Sequence, residues 1–254
     1  MDPLLNYENK VGLITGAGTG FGRELAIALN SRGAKLILTD IDKNSLTQTY
    51  NYLGEQSNAL TLCGDVANEE HCEAAVSLAI EQFTRLDFAV NNAGIAHPQG
   101  AMHEMTEEIY DRQFAVNVKG VGFGMKHQAK AMLKQADGHI LNVSSLAGLG
   151  GAPKGGAYSA AKHAVIGMTK TAAIEYARYN VRVNAICPFF SPTNIMNIEG
   201  LKSDEDKMKL GLGSPMKRIS RVDEIVNVMV LMLSPGNTYM NGQTIAVDGG
   251  VTAW

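Results

Sequence analysis

The chain has 254 residues, of which 45% are apolar, and a formal net charge of −3. This composition excludes a disordered protein, and the weak acidic balance gives neither nucleic acid nor an anionic membrane an electrostatic hold. No apolar run reaches the length of a membrane span, "MDPLLNYENK" lacks the pattern of a secretory leader, and the only cysteines, Cys63, Cys72 and Cys187, have no CxxC spacing. They read as small buried thiols of a cytoplasmic protein rather than as a disulfide framework or a zinc site.

In chain order, seven β-branched runs stand out. They are "KVGLITG" from Lys10, "KLILTD" from Lys35, "ALTLCGD" from Ala59, "LDFAVNN" from Leu86, "HILNVSS" from His139, "VRVNAIC" from Val181 and "QTIAVDGG" from Gln243. Several are apolar on both faces, as parallel strands covered by helices on each side must be. Helical patterns separate them, such as "GRELAIALNSRG", with Leu25, Ala26 and Leu29 on one stripe and Gly33 at its close. The alternation predicts an α/β, Rossmann-type, doubly wound, seven-stranded parallel sheet, in one domain over residues 1–254. Ligands of such sheets bind beyond the carboxyl ends of the strands, so the residues just after each strand are the candidates.

After the first strand comes "TGAGTGFGRELA". A literal GxGxxG is absent, because Phe21 and Arg23 stand where its third glycine would fall. The spacing is GxxxGxG, at Gly16, Gly20 and Gly22, with Thr19 and Phe21 between them. A strand, a glycine turn and a helix start make a pyrophosphate site, because the helix presents bare N–H groups to the anion. Asp40 ends the second strand, at a spacing suited to a ribose diol. A carboxylate there repels a 2′-phosphate, and no cation sits at Ala17, Thr19 or Ile41 to attract one, so the expected cofactor is NAD rather than NADP. Asp65 and Val66, after the third strand, suit an adenine ring.

"AYSAAKHAVIGM" places Tyr158 and Lys162 one helical turn apart. A free phenol has a pKa near 10 and is a poor base at neutral pH. A neighbouring ammonium favours the phenolate, so the pair is suited to acid–base work.

Six motifs in order then resemble the short-chain dehydrogenase/reductase family, in its compact single-domain branch. They are "TGAGTGFG" (15–22), "NNAG" (91–94), "VNVKG" (116–120), "NVSSLAG" (142–148), "YSAAK" (158–162) and "VDGG" (247–250). The resemblance spans nearly the whole chain. It implies that Asn91, Asn92, Ala93 and Gly94 support the sheet and line the adenosine side of the cofactor. It also implies a catalytic set of Asn117, Ser145, Tyr158 and Lys162. Ser145 is chosen over Ser144 because it lies thirteen residues before Tyr158. Tyr158 would exchange the substrate proton, and Lys162 would bind the ribose on the nicotinamide side. Ser145 would hold the substrate oxygen, and Asn117 would hold a water leading from Lys162 to solvent. Pro188 and Thr193 would contact the nicotinamide. The family's usual Pro-Gly is Pro188-Phe189 here, which predicts an altered path for that loop.

The loops after the fourth, fifth and sixth strands, 95–100, 146–156 and 189–216, should wall the substrate. The last reads as a lid. Phe189, Phe190, Ile195, Met196 and Ile198 form its apolar inner part, and Lys202, Asp204, Glu205, Asp206, Lys207 and Lys209 its solvated outer part. These features predict an NAD-dependent oxidoreductase interconverting an apolar secondary alcohol and a ketone, cyclic, aromatic or steroid-like. A sugar, polyol or 3-oxoacyl thioester reductase is the alternative, and a non-catalytic NAD-binding regulator a third class. The six histidines lack metal-site spacing, so no metal is expected. Met102, Met105, Met125 and Met132 are read as core. Small residues at Ala157, Ala160, Ala161 and Ala164, with Val251 and Trp254 at the end, favour a homotetramer by family analogy.

Overall fold

The computed structural model describes residues 2–55, 57–196 and 203–253. Its strands are β1 (Val11–Thr15), β2 (Lys35–Asp40), β3 (Ala59–Cys63), β4 (Phe88–Asn91), β5 (Gly138–Val143), β6 (Val181–Pro188) and β7 (Thr244–Val247). They form a single parallel sheet in the order β3-β2-β1-β4-β5-β6-β7. The order reverses between β1 and β4, where the chain leaves one wing of the sheet and begins the other. A crevice opens there, beyond the strand ends.

The two-residue period of the strands sorts their side chains into two cores. Ile14, Leu36, Leu38, Leu141, Val143 and Ile186 point to one face and Leu13, Ile37, Ile140, Val181 and Val183 to the other. The first face is covered by α1 (Gly20–Asn30), α2 (Lys43–Tyr52) and α8 (Val222–Leu233), through Leu25, Leu29, Leu46, Ile225 and Met229. The second is covered by α3 (Glu69–Phe83), α5 (Gly120–Gln135) and α6 (Gly156–Tyr176), through Val76, Val121, Met125 and Val165. Burial on both sides is why the internal strands carry apolar residues on both faces. Two further helices, α4 (Glu107–Phe114) and α7 (Asp204–Gly211), lie outside these cores.

Some expectations need correction. Cys63 is exposed, because β3 is an edge strand with one open face; Cys72 and Cys187 are buried. Met125 and Met132 are core, but Met102 is 68% exposed and caps Gly156 from outside. Ala157 and Ala161 are fully buried within the chain's own fold, so they seat α6 on its sheet rather than offering an outer face. Trp254, Ile198 and Lys202 lie outside the described residues, as do the side chains of Asp204 and Lys207.

Candidate active site

The first rim of the crevice is made by the turn between β1 and α1. Gly16 has φ +64°, a left-handed conformation that costs a glycine little. Gly22 is required for another reason: a Cβ there would lie 2.1 Å from the Gly16 carbonyl oxygen. Thr19 caps α1 in extended conformation, and its side chain makes no capping bond. The first N–H groups of α1 are therefore left for a ligand, and the helix dipole favours an anionic one. Asn92, expected to touch cofactor, lines the cavity and also fastens this turn: its Nδ2 donates to the carbonyls of Thr15 (2.9 Å) and Gly16 (3.1 Å). The Thr15 hydroxyl accepts from the N–H groups of Asn92 and Ala93, both at 3.0 Å.

Asp40 sits at the tip of β2 with its carboxylate fixed by main chain. Oδ2 accepts from Gly18 N–H at 2.8 Å and Oδ1 from Asp42 N–H at 2.9 Å. Asp65 and Val66 line the same cavity, and the Asp65 carboxylate accepts from Ala67 N–H at 2.9 Å. Arg112 of α4 reaches across to within 3.8 Å of Asp65, a neighbour the sequence reading missed. These groups offer a phosphate cradle, a diol acceptor and an adenine slot in series. They fit a nicotinamide dinucleotide.

The second rim carries the chemistry. Asn117 lies in a π-helical turn, Ala115–Lys119, where Gly120 N–H bonds to the Ala115 carbonyl. Its amide is spent on the loop after β4: Oδ1 accepts from Ile95 N–H (2.9 Å), and Nδ2 donates to Ile95 O and Gln113 Oε1 (2.8 Å each). The side chain is thus a clamp on that loop. Lys162 is buried, and its Nζ donates to the Val143 carbonyl at 2.9 Å. Gly94 lies between the two, since a Cβ there would be 2.9 Å from Asn117 Oδ1 and 3.5 Å from Lys162 Nζ.

Ser144 and Ser145 both line the cavity. The Ser144 hydroxyl donates to the Lys162 carbonyl at 2.9 Å, and the Ser145 hydroxyl bonds to the Tyr158 phenol. The Lys162 ammonium lies 5.6 Å from the centre of the Tyr158 ring. Burial pushes the phenol up to about 12, and the Ser145 hydroxyl opposes the rise. Burial also brings Lys162 down to about 8. The phenol is thus governed by its own desolvation, and the Lys162 ammonium is not among the groups that shift it. In this arrangement Tyr158 holds its proton, ready to give it.

The cavity, about 570 Å³, runs from Asp40 to the loop after β6 and is lined by Asp65, Ser145, Tyr158 and Lys162 between them; Asn117 stands behind its wall. Phe189 and Phe190 pack edge to face there, centroids 4.8 Å apart. Phe189 is no obstacle to the backbone: it prolongs β6, its N–H donating to Val247 O at 3.1 Å, and its φ is not left-handed. The path needs no glycine at that position. Thr193 packs over Gly20, its Cγ2 being 3.1 Å from where a Cβ would stand. Met196 is buried, Phe190 is partly exposed, and the Glu205–Lys209 pair is exposed on α7.

A family model described as enoyl-(acyl carrier protein) reductase matches residues 16–252. The chain belongs to the short-chain dehydrogenase/reductase family, the oxidoreductases that its crevice and six motifs anticipate. Levodione reductase of Leifsonia aquatica is 34% identical over 99% of this chain and 97% of its own. Cyclohexanol dehydrogenase of Acinetobacter sp. strain SE19 is 31% identical over 97% of this chain and 96% of its own. The crystal structure of NAD+-bound xylitol dehydrogenase superposes with a TM-score of 0.90 at 29% identity, covering 96% and 99% of the two chains. No helix among the described residues is long and apolar enough to cross a membrane.

Proposed function

We propose that the protein interconverts an apolar, cyclic secondary alcohol and its ketone, with NAD as hydride partner. The observation that carries this reading is the placing of Tyr158 and Ser145 in one cavity with the Phe189–Phe190 pair, Ile195 and Met196. An apolar ring finds a dry wall there, and its oxygen finds two hydroxyls. The names of levodione reductase and cyclohexanol dehydrogenase support the same class of substrate.

In the reduction, Tyr158 Oη gives its proton to the carbonyl oxygen; in the oxidation it takes the alcohol proton back. Ser145 donates to that same oxygen as charge develops on it. Lys162, held by Val143, would face the ribose on the nicotinamide side, and Asn117 keeps the loop beside it in place. When bound, the nicotinamide supplies the hydride chemistry. Gly16, Thr19, Gly20, Phe21 and Gly22 would receive the pyrophosphate, and Asp40 the adenosine ribose. Asp65, Val66, Ala93 and Gly94 would hold the adenosine side, while Pro188 and Thr193 would hold the carboxamide.

Asp40 supports NAD over NADP, because its two oxygens already draw on main-chain N–H groups and leave only lone pairs for a ribose diol. A family-like homotetramer accords with the exposed Ile174 on α6 and Leu231 on α8, and sedimentation tests it. The decisive experiment is a screen of cyclic ketones, polyols and 3-oxoacyl thioesters with NADH and NADPH, followed by cofactor absorbance. Turnover of cyclic ketones with NADH is the expected result; turnover of polyols alone would replace this substrate class.

A further inference from the structure

α6 carries both Tyr158 and Lys162, yet its amino end has no cap of its own. The N-cap residue is Gly155, which has no side chain to offer the first-turn N–H groups. The acceptor comes from elsewhere in the chain. His97, in the loop after β4, is 7% exposed and lines the cavity. Its Nε2 accepts the Tyr158 main-chain N–H at 3.4 Å. Its Nδ1 lies 2.7 Å from the Pro98 carbonyl, which can only accept, so Nδ1 carries the proton and Nε2 is left bare. The tautomer that can cap α6 is thus set by the residue next to His97.

The same loop is pinned a second time. Two residues before His97, Ile95 gives its N–H and its carbonyl to the Asn117 amide. One short segment therefore touches Asn117 at one point and the backbone of Tyr158 at the other. We propose that His97 is a positioning residue for Tyr158: it is the missing cap of α6, and it ties the height of the phenol to the loop that walls the substrate. This inference rests on the reading of Tyr158 as the acid–base group. It adds that the phenol is placed by a histidine sixty-one residues upstream, which need not touch substrate at all.

Replacement of His97 by Leu, Asn and Gln tests this. Gln extends an acceptor to about the place of Nε2, whereas Asn reaches only about as far as Nδ1. His97→Leu and His97→Asn should each lower kcat about tenfold, the scale of a small misplacement of a reacting group. KM for the ketone and the dissociation constant for NADH should stay within about threefold. His97→Gln should restore kcat to within about threefold of the parent. If the Leu variant fails to fold, the Asn–Gln pair alone decides, since both are polar and differ in reach. Equal kcat in Asn and Gln, or a change confined to KM, overturns the proposal and makes His97 a simple wall of the cavity. Tyr158→Phe is run beside them. Full activity there would overturn the acid–base reading itself, whereas an inactive Phe variant with indifferent His97 variants would overturn only the capping role.

Discussion

The two ends of the sheet treat buried polarity in opposite ways. At the amino ends, buried polar groups near the sheet are answered by neighbours. Asp87, just before β4, is 7% exposed and accepts from Lys10 (3.2 Å), Arg85 (2.6 and 2.8 Å) and Val11 N–H (2.9 Å). The imidazole of His139, at the start of β5, is kept neutral by burial and lies 2.9 Å from Asn184 Nδ2. At the carboxyl ends, the phenol of Tyr158 and the N–H groups of α1 are left facing a cavity. One end spends its polar groups on the fold; the other fastens Asn92, Asn117 and Lys162 to main chain yet leaves the phenol and the α1 N–H groups for a ligand. Stability and function are thus separable along the strand direction.

Four experiments probe that separation, in falling order of expected effect. Tyr158→Phe should reduce kcat about a thousandfold. NADH affinity, measured by fluorescence titration, should change by less than about threefold, and the melting temperature should hold. Asp87→Ala is the mirror image. It should cost about 3 kcal/mol in urea denaturation, because it strands two cations and a main-chain donor, and leave kcat of the folded enzyme within about twofold. A large kcat defect there would mean that the two ends are coupled. Asp40→Ala should weaken NAD binding about tenfold while NADP binding holds or improves, read as the ratio of the two dissociation constants.

The last experiment varies pH. Lys162 titrates near 8 in the fold against 10.5 when unfolded, so between those values the unfolded chain holds a proton that the folded chain has released. Stability should therefore rise with pH across that window, by something on the order of 1 kcal/mol. The Tyr158 shift, from 10.0 to about 12, acts in the opposite direction and only above pH 10. Denaturation at pH 8 and at pH 9.5 brackets the rise, which the buried thiols of Cys72 and Cys187, pushed up by burial, oppose; the difference between parent and Lys162→Met isolates the lysine.

Much of the cofactor rim was legible because it is built from features local in sequence. Gly16, Gly20 and Gly22 lie within one turn, and Asp40 is the last residue of its strand. The strands announced themselves by being apolar on both faces. The catalytic rim was legible as residue types but not as contacts. Asn117 was visible by its motif, yet its amide answers a loop main chain twenty-two residues away, which no side-chain pattern records. His97 carries no sequence motif of its own; a glycine N-cap followed by a helix without a capping side chain is the one clue that points to it. The inward turn of Ala157 and Ala161 was hidden for a different reason. A stripe of alanines packs equally well on a sheet or on another subunit, and only the tertiary arrangement decides.

Behind the catalytic rim lies a small system of amides. Asn91 on β4 exchanges two hydrogen bonds with Gln128 of α5 and donates to Asn142 on β5, which in turn donates to Thr169 of α6. All four residues are almost wholly buried. Asn91 and Asn142 are register partners in the sheet. If β5 slid by one residue, Asn142 would turn to the opposite face, and at least two amides would be stranded in an apolar interior. A misaligned pairing is thereby penalised at the very strands whose tips carry Ser145 and Gly94. The network works as a proofreader of assembly, rejecting a mispaired sheet before a misdrawn site can persist.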